Sequence, residues 1–354
     1  MKALTFRILP TSSKVKQSMA TIYDVSKLAG VSLATVSRVM NKNVPVSEKT
    51  REKVFNAMTE LDYRPNAAAK SLASNQSRSV GVLVSELHGP FFGSLISEIE
   101  AAFRSEDIHV IIAAGHSNEE EEKEGIEFLA SRQCDALILF VEAVSDTYLS
   151  NLNKRNLPLV ILGRDVPKIK KRCLDIDHTH GGYLATEHLI KNGHRNIGFI
   201  SGPNWKLDSK KRLAGFKSAL KAHSIETSAN RVYVGNYHED SGSEALDYFL
   251  NLPEGITGVV CANDEMAAGL LLKARERNIN VPDGLSVVGF DDAAFSHYLS
   301  PALTTVKFPI QSLAKAAASR VLTEVYNKDS EKTSGLGDIT LELVQRSTVA
   351  SKSS

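Results

Sequence analysis

From residue 79 onward, eight short runs of apolar, largely β-branched residues recur through this 354-residue chain, and no other feature restricts its fold so much. They read SVGVLVS (79–85), HVIIAAG (109–115), DALILFV (135–141), LPLVILG (157–163), NIGFISG (196–202), RVYVG (231–235), GVVCAND (258–264) and SVVGFDD (286–292). Amphipathic helical segments such as FFGSLISEIEAAF (91–103) and GGYLATEHLIKNG (181–193) lie between them. Strands buried on both faces and joined by crossover helices make a parallel α/β sheet. Eight are too many for one compact lobe, so two similar lobes with right-handed crossovers are expected. A ligand cleft belongs beyond the carboxyl ends of the strands.

The length leaves room for two or three domains. Hydrophobic residues make up 42% and charged residues 23%, an ordinary balance for a soluble protein, and no apolar run is long enough to span a membrane. Cys134, Cys173 and Cys261 are odd in number and include no C-x-x-C pair, which points away from disulfides and zinc and toward buried thiols in a reducing, cytoplasmic setting. The opening MKALTFRILPTSSKVKQS (1–18) lacks a secretory pattern. It reads as a disordered basic extension or as a mis-assigned start ahead of Met19.

The net charge of +1 hides an asymmetry. Residues 1–78 carry 13 Lys and Arg against 5 Asp and Glu, which is +8, and the remainder carries 29 against 36, which is −7. A basic head attracts a polyanion without specifying its sequence.

Within that head, TIYDVSKLAGVSLATVSRVMN (21–41) places two helical patterns around one glycine. Thr21 and Asp24 form a capping box, Gly30 supplies a left-handed stop, Ser32 caps the second helix and Ser47 caps a third, whose Val54, Ala57, Met58 and Leu61 face inward. Val25, Leu28, Ala29, Val31, Val36 and Val39 supply packing, which leaves Leu33, Ala34, Thr35, Ser37, Arg38 and Asn41 outward. Hydroxyls can bond phosphate oxygens, Arg can donate twice to a guanine edge, and small apolar groups can meet a thymine methyl. That is the chemistry of a recognition helix, although three-helix bundles with no nucleic-acid partner share such spacing. The Ser/Asn/Gln-rich stretch after Pro65 marks a domain boundary.

The whole segment ATIYDVSKLAGVSLATVSRVMN...VSEKTREKVFNAMTELDYRPNAAAKSLA closely resembles the DNA-binding head of the lactose and galactose repressor family, with its A-G-V-S-x-x-T-V-S-R phrase. The resemblance runs on through GVLVSELHGPFFGSLISEIE, GHRNIGFISGP, KRLAGFKSAL, CANDEMAAGLL, VPDGLSVVGFDD and PALTTVKFPI, covering about residues 19–348. It implies a helix-turn-helix domain over 19–64, a hinge helix and linker over 65–78, and a two-lobe, periplasmic-binding-protein-like sensing and dimerisation domain over 79–348, with 349–354 left as a disordered tail. It also implies a homodimer on a near-palindromic double-stranded operator. By motif position Leu33, Ala34 and Arg38 would read bases, while Thr21, Thr35, Ser37, Asn41 and Thr50 would hold phosphates. Asn66, Ala69 and Leu72 would enter the minor groove, with Leu72 as the wedge.

For the body, the resemblance implies a small sugar effector and no cofactor, metal or catalysis. Arg212, Asn263 and Asp291 match the family's polar contacts, with Phe91, Phe92, Tyr237 and Phe308 as an apolar wall. His180 would tune specificity, and Arg164 either reaches the sugar or ends a strand. Asp264 and Asp292 read as structural caps, and EEEEKE (119–124) as a solvated first helical turn. A galactoside or β-glucoside leads, and a purine or nucleoside effector is the alternative. No G-x-G-x-x-G follows a strand and no P-loop is present, which opposes an enzyme. A periplasmic receptor would need an export signal and no head.

Overall fold

The computed structural model describes residues 20–41, 45–64, 76–226, 228–328 and 339–352. The chain divides into two compact units, residues 1–77 and 78–354. In the first unit lie α1 (Ile22–Ala29), α2 (Leu33–Asn41) and α3 (Glu48–Glu60). The capping box forms as expected: the Thr21 N–H donates to Asp24 Oδ2 at 2.8 Å and the Asp24 N–H to Thr21 Oγ1 at 3.4 Å. Gly30 takes φ 65°, which turns the chain between α1 and α2 without the Cβ clash another residue would meet. Val25, Ala29, Val36, Val39, Val54 and Ala57 close a small core. Leu28 is not part of it. With Val25 and Ala29 one turn apart on the inward line of α1, Leu28 projects about 100° away and is 46% exposed.

In the second unit the first lobe runs β1 (Ser79–Val84), α4 (Pro90–Arg104), β2 (His109–Ala114), α5 (Glu119–Ser131), β3 (Ala136–Phe140), α6 (Asp146–Leu152), β4 (Leu159–Leu162) and β5 (Cys173–Leu174). The other lobe runs α7 (His178–Lys191), β6 (Ile197–Ser201), α8 (Leu207–Ala222), β7 (Val232–Val234), α9 (Glu239–Leu250), β8 (Gly258–Cys261), α10 (Asp264–Glu276), β9 (Ser286–Asp291) and β10 (Thr304–Lys307). Then α11 (Ile310–Tyr326) returns to pack on α4, β3 and β4 of the first lobe, and β11 (Glu342–Val344) closes the second sheet.

The sheet orders are β2-β1-β3-β4-β5 and β11-β10-β9-β8-β6-β7. Every pairing is parallel except β10 with β11. All eight expected runs are strands; β5, β10 and β11 are additional. Among the described residues no helix is long and apolar enough to cross a membrane. Cys134, Cys173 and Cys261 are free, buried thiols, and burial pushes the Cys134 pKa up to about 11.

Residues 349–352 are not a loose tail. The Lys352 N–H donates to the Asn192 carbonyl at 2.8 Å, the Ala350 N–H donates to Ser286 Oγ at 3.0 Å, and buried His194 donates from Nε2 to the Ala350 carbonyl at 3.0 Å. Backbone polar groups beside a sheet need partners, and this segment supplies them.

Two glycines set the distance between α7 and α8. A Cβ on Gly182 would stand 2.1 Å from the Arg212 carbonyl oxygen, and one on Gly215 would stand 2.0 Å from that of Thr179. The helices therefore touch backbone to backbone, which brings His178 and Arg212 together. Gly215→Ala is expected to cost about 1–3 kcal/mol by overpacking, read as a lower urea midpoint at unchanged slope.

Candidate functional site

On α2 of the head, Ser32 Oγ accepts the Thr35 N–H at 3.2 Å and so sets where the helix begins. Val36 and Val39 point inward, and Ala34 and Arg38, one turn apart, are exposed, with Leu33, Thr35 and Ser37 half-buried beside them. Thr35 Oγ1 lies 2.9 Å from Ser32 Oγ, Thr50 Oγ1 lies 2.9 Å from Ser47 Oγ, and the Thr21 hydroxyl donates to Asp24 at 2.7 Å. The Asn41 side chain, and Asn66, Ala69 and Leu72, lie outside the described residues.

Between the lobes of the body is a cavity of about 450 Å³ beyond the carboxyl ends of the strands. Phe91, Phe92, Arg164, Arg212, Tyr237, Asn263, Asp291 and Phe308 all line it. From the first lobe and a crossing segment comes an aromatic wall: Phe91 packs edge-on against Phe92 and Phe308, each at 5.1 Å between centroids, and Phe92 against Phe140 at 5.2 Å.

From the second lobe comes a fork around Arg212, which is 5% exposed. Its guanidinium lies 3.7 Å from Asp208, 3.9 Å from Asp291 and 3.9 Å above the Phe290 ring centre, and it donates to the Ala262 carbonyl. Tyr237 donates its hydroxyl to Asp208 at 2.7 Å, and its carbonyl accepts from Asn263 Nδ2 at 2.7 Å. Both Tyr237 and Asp291 have positive φ, 75° and 115°, a strain tolerated where packing overdetermines the backbone. Burial pushes the Asp291 carboxyl well up despite Arg212. At Asp208 burial is the largest single influence, but Arg212 together with the Tyr237 hydrogen bond and the other polar neighbours outweighs it, and that carboxyl is held down.

His180 does not reach the cavity. It sits exposed on the first turn of α7, and the α7 histidine that lines the cleft, beside His88 and His238 from other segments, is His178, two residues and about 200° earlier on the helix. Arg212 Nε donates to His178 Nδ1 at 3.3 Å, and because Arg only donates, the imidazole proton must sit on Nε2. Burial, then the Arg212 charge, depress the His178 pKa from 6.5 to about 3. The unfolded chain takes up that proton below pH 6.5 and the folded one does not, so this group's contribution is lost as pH falls from 6.5 toward 3. In thermal melts from pH 7 to pH 4.5, wild type should lose more stability than His178→Gln, and parallel curves would contradict this.

Several lining residues carry no motif that marks them in advance: Glu142, Trp205, Lys206 and Asp208 are on loops or helix starts after β3 and β6. Glu142 accepts from Ser85 Oγ at 3.0 Å, and Lys206 reaches across from the other lobe to meet it at 2.8 Å. That loop is held by Glu122. The sequence reading placed Glu122 in a solvated turn, yet it is 1% exposed and accepts the backbone N–H groups of Glu142, Ala143 and Val144 at 2.8–3.1 Å. Its acidic neighbours do face solvent.

Arg164 stands two residues beyond the end of β4. It lines the cavity, and it ties the β3 loop by donating to the Val144 carbonyl at 2.9 Å and to Asp146 at 2.5 Å. Asp264 also lines the cleft but spends its oxygens on Ala293 N–H, Ser296 and Thr305 at 2.8, 2.5 and 2.6 Å; burial raises its pKa to about 6. Asp292 is bound to Arg346 at 2.5 Å.

A helix-turn-helix head joined to a two-lobed body with a polar, aromatic-walled cleft defines a ligand-responsive DNA-binding regulator. The profile of bacterial regulatory proteins of the lacI family matches residues 21–66, and that of the periplasmic binding protein-like domain matches 186–349. The HTH-type transcriptional regulator GalR of Escherichia coli (strain K12) is 37% identical over 310 residues, spanning 88% of this chain and 90% of that one. The repressor PurR of Proteus mirabilis (strain HI4320) is 37% identical over 314 residues, 88% of this chain and 92% of its own. The lac repressor dimer bound to operator and the anti-inducer ONPF superposes with a TM-score of 0.82 at 31% identity, covering 94% of this chain and 99% of that one. A CelR–cellobiose complex superposes at 0.67 with 28% identity, over 93% and 99%. The chain belongs to the lacI family of bacterial transcriptional regulators.

Proposed function

We propose that this regulator is a cytoplasmic homodimeric repressor of sugar-utilisation genes, whose grip on a near-palindromic operator is set by a neutral sugar bound between the lobes. Leu33, Ala34 and Arg38 read base edges, while Thr21, Thr35, Ser37, Asn41 and Thr50 hold phosphates. Asn66, Ala69 and Leu72 engage the minor groove. No chemistry is assigned to the cleft.

The observation that carries the effector class is the charge balance of the lining. Among the described residues Arg164, Lys206 and Arg212 are its Lys and Arg side chains, and each already faces a carboxylate within 4 Å. An anionic ligand would find no uncommitted guanidinium or ammonium. The remaining groups are rich in acceptors, which suits a ring bearing a donor on every hydroxyl, with its C–H face on the Phe91–Phe308 wall. A free purine offers two N–H donors in hypoxanthine and four in guanine, all in one plane, and its ring nitrogens and carbonyl are acceptors that these carboxylates cannot satisfy. Galactose, galactosides and β-glucosides are the leading candidates, because GalR and CelR are among the relatives. PurR is as similar in sequence as GalR, so the cleft rather than identity favours the sugar.

Linkage then requires that a sugar preferring one lobe arrangement change operator affinity by the reciprocal factor, typically 5–150-fold. The test is fluorescence anisotropy on an operator recovered by selection from random duplexes, with galactose, methyl β-galactoside, cellobiose, hypoxanthine and guanine added in turn. One of the sugars should shift the curve. A shift by a nucleobase alone would overturn the sugar reading.

A further inference from the structure

The cavity has two unlike halves. Its inner half is deeply buried and polar, built on Arg212, Asn263 and His178, which are 5%, 7% and 3% exposed. Its outer half carries Trp205 and Leu207, which line the same cavity yet remain 51% and 46% exposed. Large apolar side chains left half in water at a cavity rim are covered when a ligand extends over them. Trp205 is the sole tryptophan of the chain.

The indole also has a cationic neighbour. The Lys206 ammonium sits 5.5 Å from the Trp205 ring centre and 5.4 Å from that of Tyr237, while bridging to Glu142 of the opposite lobe at 2.8 Å. Lys206 therefore stands between an outer ring and an inner one, Tyr237 being the residue bonded to Asp208. A volume of about 450 Å³ falls within the roughly 300–1,000 Å³ of pockets that enclose drug-sized ligands, and it exceeds what one pyranose fills.

We infer that the effector is a two-ring glycoside: its first sugar ring occupies the Arg212 fork, and its second ring, sugar or aryl, lies against Trp205 and Leu207. This rests on the reading of the cleft as a sugar site and makes Trp205 a specificity-determining residue. The inner half recognises hydroxyls, and the outer half recognises an apolar ring face.

The test is isothermal calorimetry on the full chain with ligand pairs matched in their first ring: methyl β-glucoside against cellobiose, and methyl β-galactoside against phenyl β-galactoside and lactose. In at least one pair the two-ring member should bind tenfold or more tightly than its one-ring partner. Trp205→Ala should collapse that ratio to about one, and Trp205→Phe, which keeps a ring, should preserve part of it. Circular dichroism of both variants verifies that they are folded. Measurable binding of one-ring ligands with a ratio near one in wild type overturns the second-ring subsite and leaves the sugar reading standing. A large ratio that survives Trp205→Ala overturns the role of Trp205. If no glycoside of either kind binds, the sugar reading itself falls, and this inference with it. Cellobiose, lactose and the phenyl glycoside separate a second sugar from an aryl group as the outer ring.

Discussion

Replacing Arg212 with methionine is expected to destabilise the body by about 3–5 kcal/mol, the usual cost of stranding buried charge, and to abolish the effector response. Arg212 is the cation shared by Asp208 and Asp291, and it also donates to the Ala262 carbonyl and to His178. Methionine fills similar space and removes all of these bonds. For a unit of this size the melting temperature should fall by about 5–15 °C. Without the guanidinium Asp208 loses the strongest charge that holds its pKa down, and Asp291, already raised by burial, goes higher still. Both changes weaken the variant most where the carboxyls are ionised, so the gap between variant and wild type should narrow from pH 7 toward pH 4. Arg212→Lys should recover part of the stability and little of the ligand binding, because an ammonium restores the charge but not the planar fork. A variant that melts with wild type and still binds effector would show that the fork is not the centre of the site.

Arg38→Ala is expected to leave the head folded and to erase preference at one base pair in each half-site, at about 1–3 kcal/mol per half-site. The side chain is exposed on α2, one turn from Ala34, so its removal disturbs no core residue. Two symmetric half-sites double the loss. A binding selection on randomised duplexes, run for both proteins, reads this directly. Undiminished sequence preference in the variant would contradict the assignment of α2 as the reading element.

Most strands that the sequence makes legible supply their own burial, and Val80 to Val84, Ala136 to Leu139 and Leu159 to Leu162 are all buried; β2 and β7, equally legible from their apolar runs, are edge strands with no buried residue. Sequence reading missed β10 and β11, with sequences TTVK and ELV, because they are defined by pairing to neighbours rather than by apolar pattern. The cleft followed the same rule. Arg212, Asn263 and Asp291 stand in recognisable phrases. Glu142 and Lys206 stand in loops whose placement is decided by distant partners, Glu122 and the opposite lobe. Glu142 is legible only as the second residue past the carboxyl end of β3. Histidines 178 and 180 show the limit of motif transfer on a helix, where a two-residue offset exchanges a buried face for a wet one.

The return of α11 to the first lobe has a consequence for synthesis. Helix α11 covers α4, β3 and β4, although it is translated after nearly all of the second lobe, whose own sheet still awaits β11. Neither half can finish its hydrophobic interior until the residues up to β11 have cleared the ribosome. At about 5–20 residues per second, the half begun at residue 79 waits some tens of seconds with one flank uncovered. A nascent chain stalled before Ile310 would therefore present the α4 face to chaperones, and release should be followed by near-simultaneous completion of both halves.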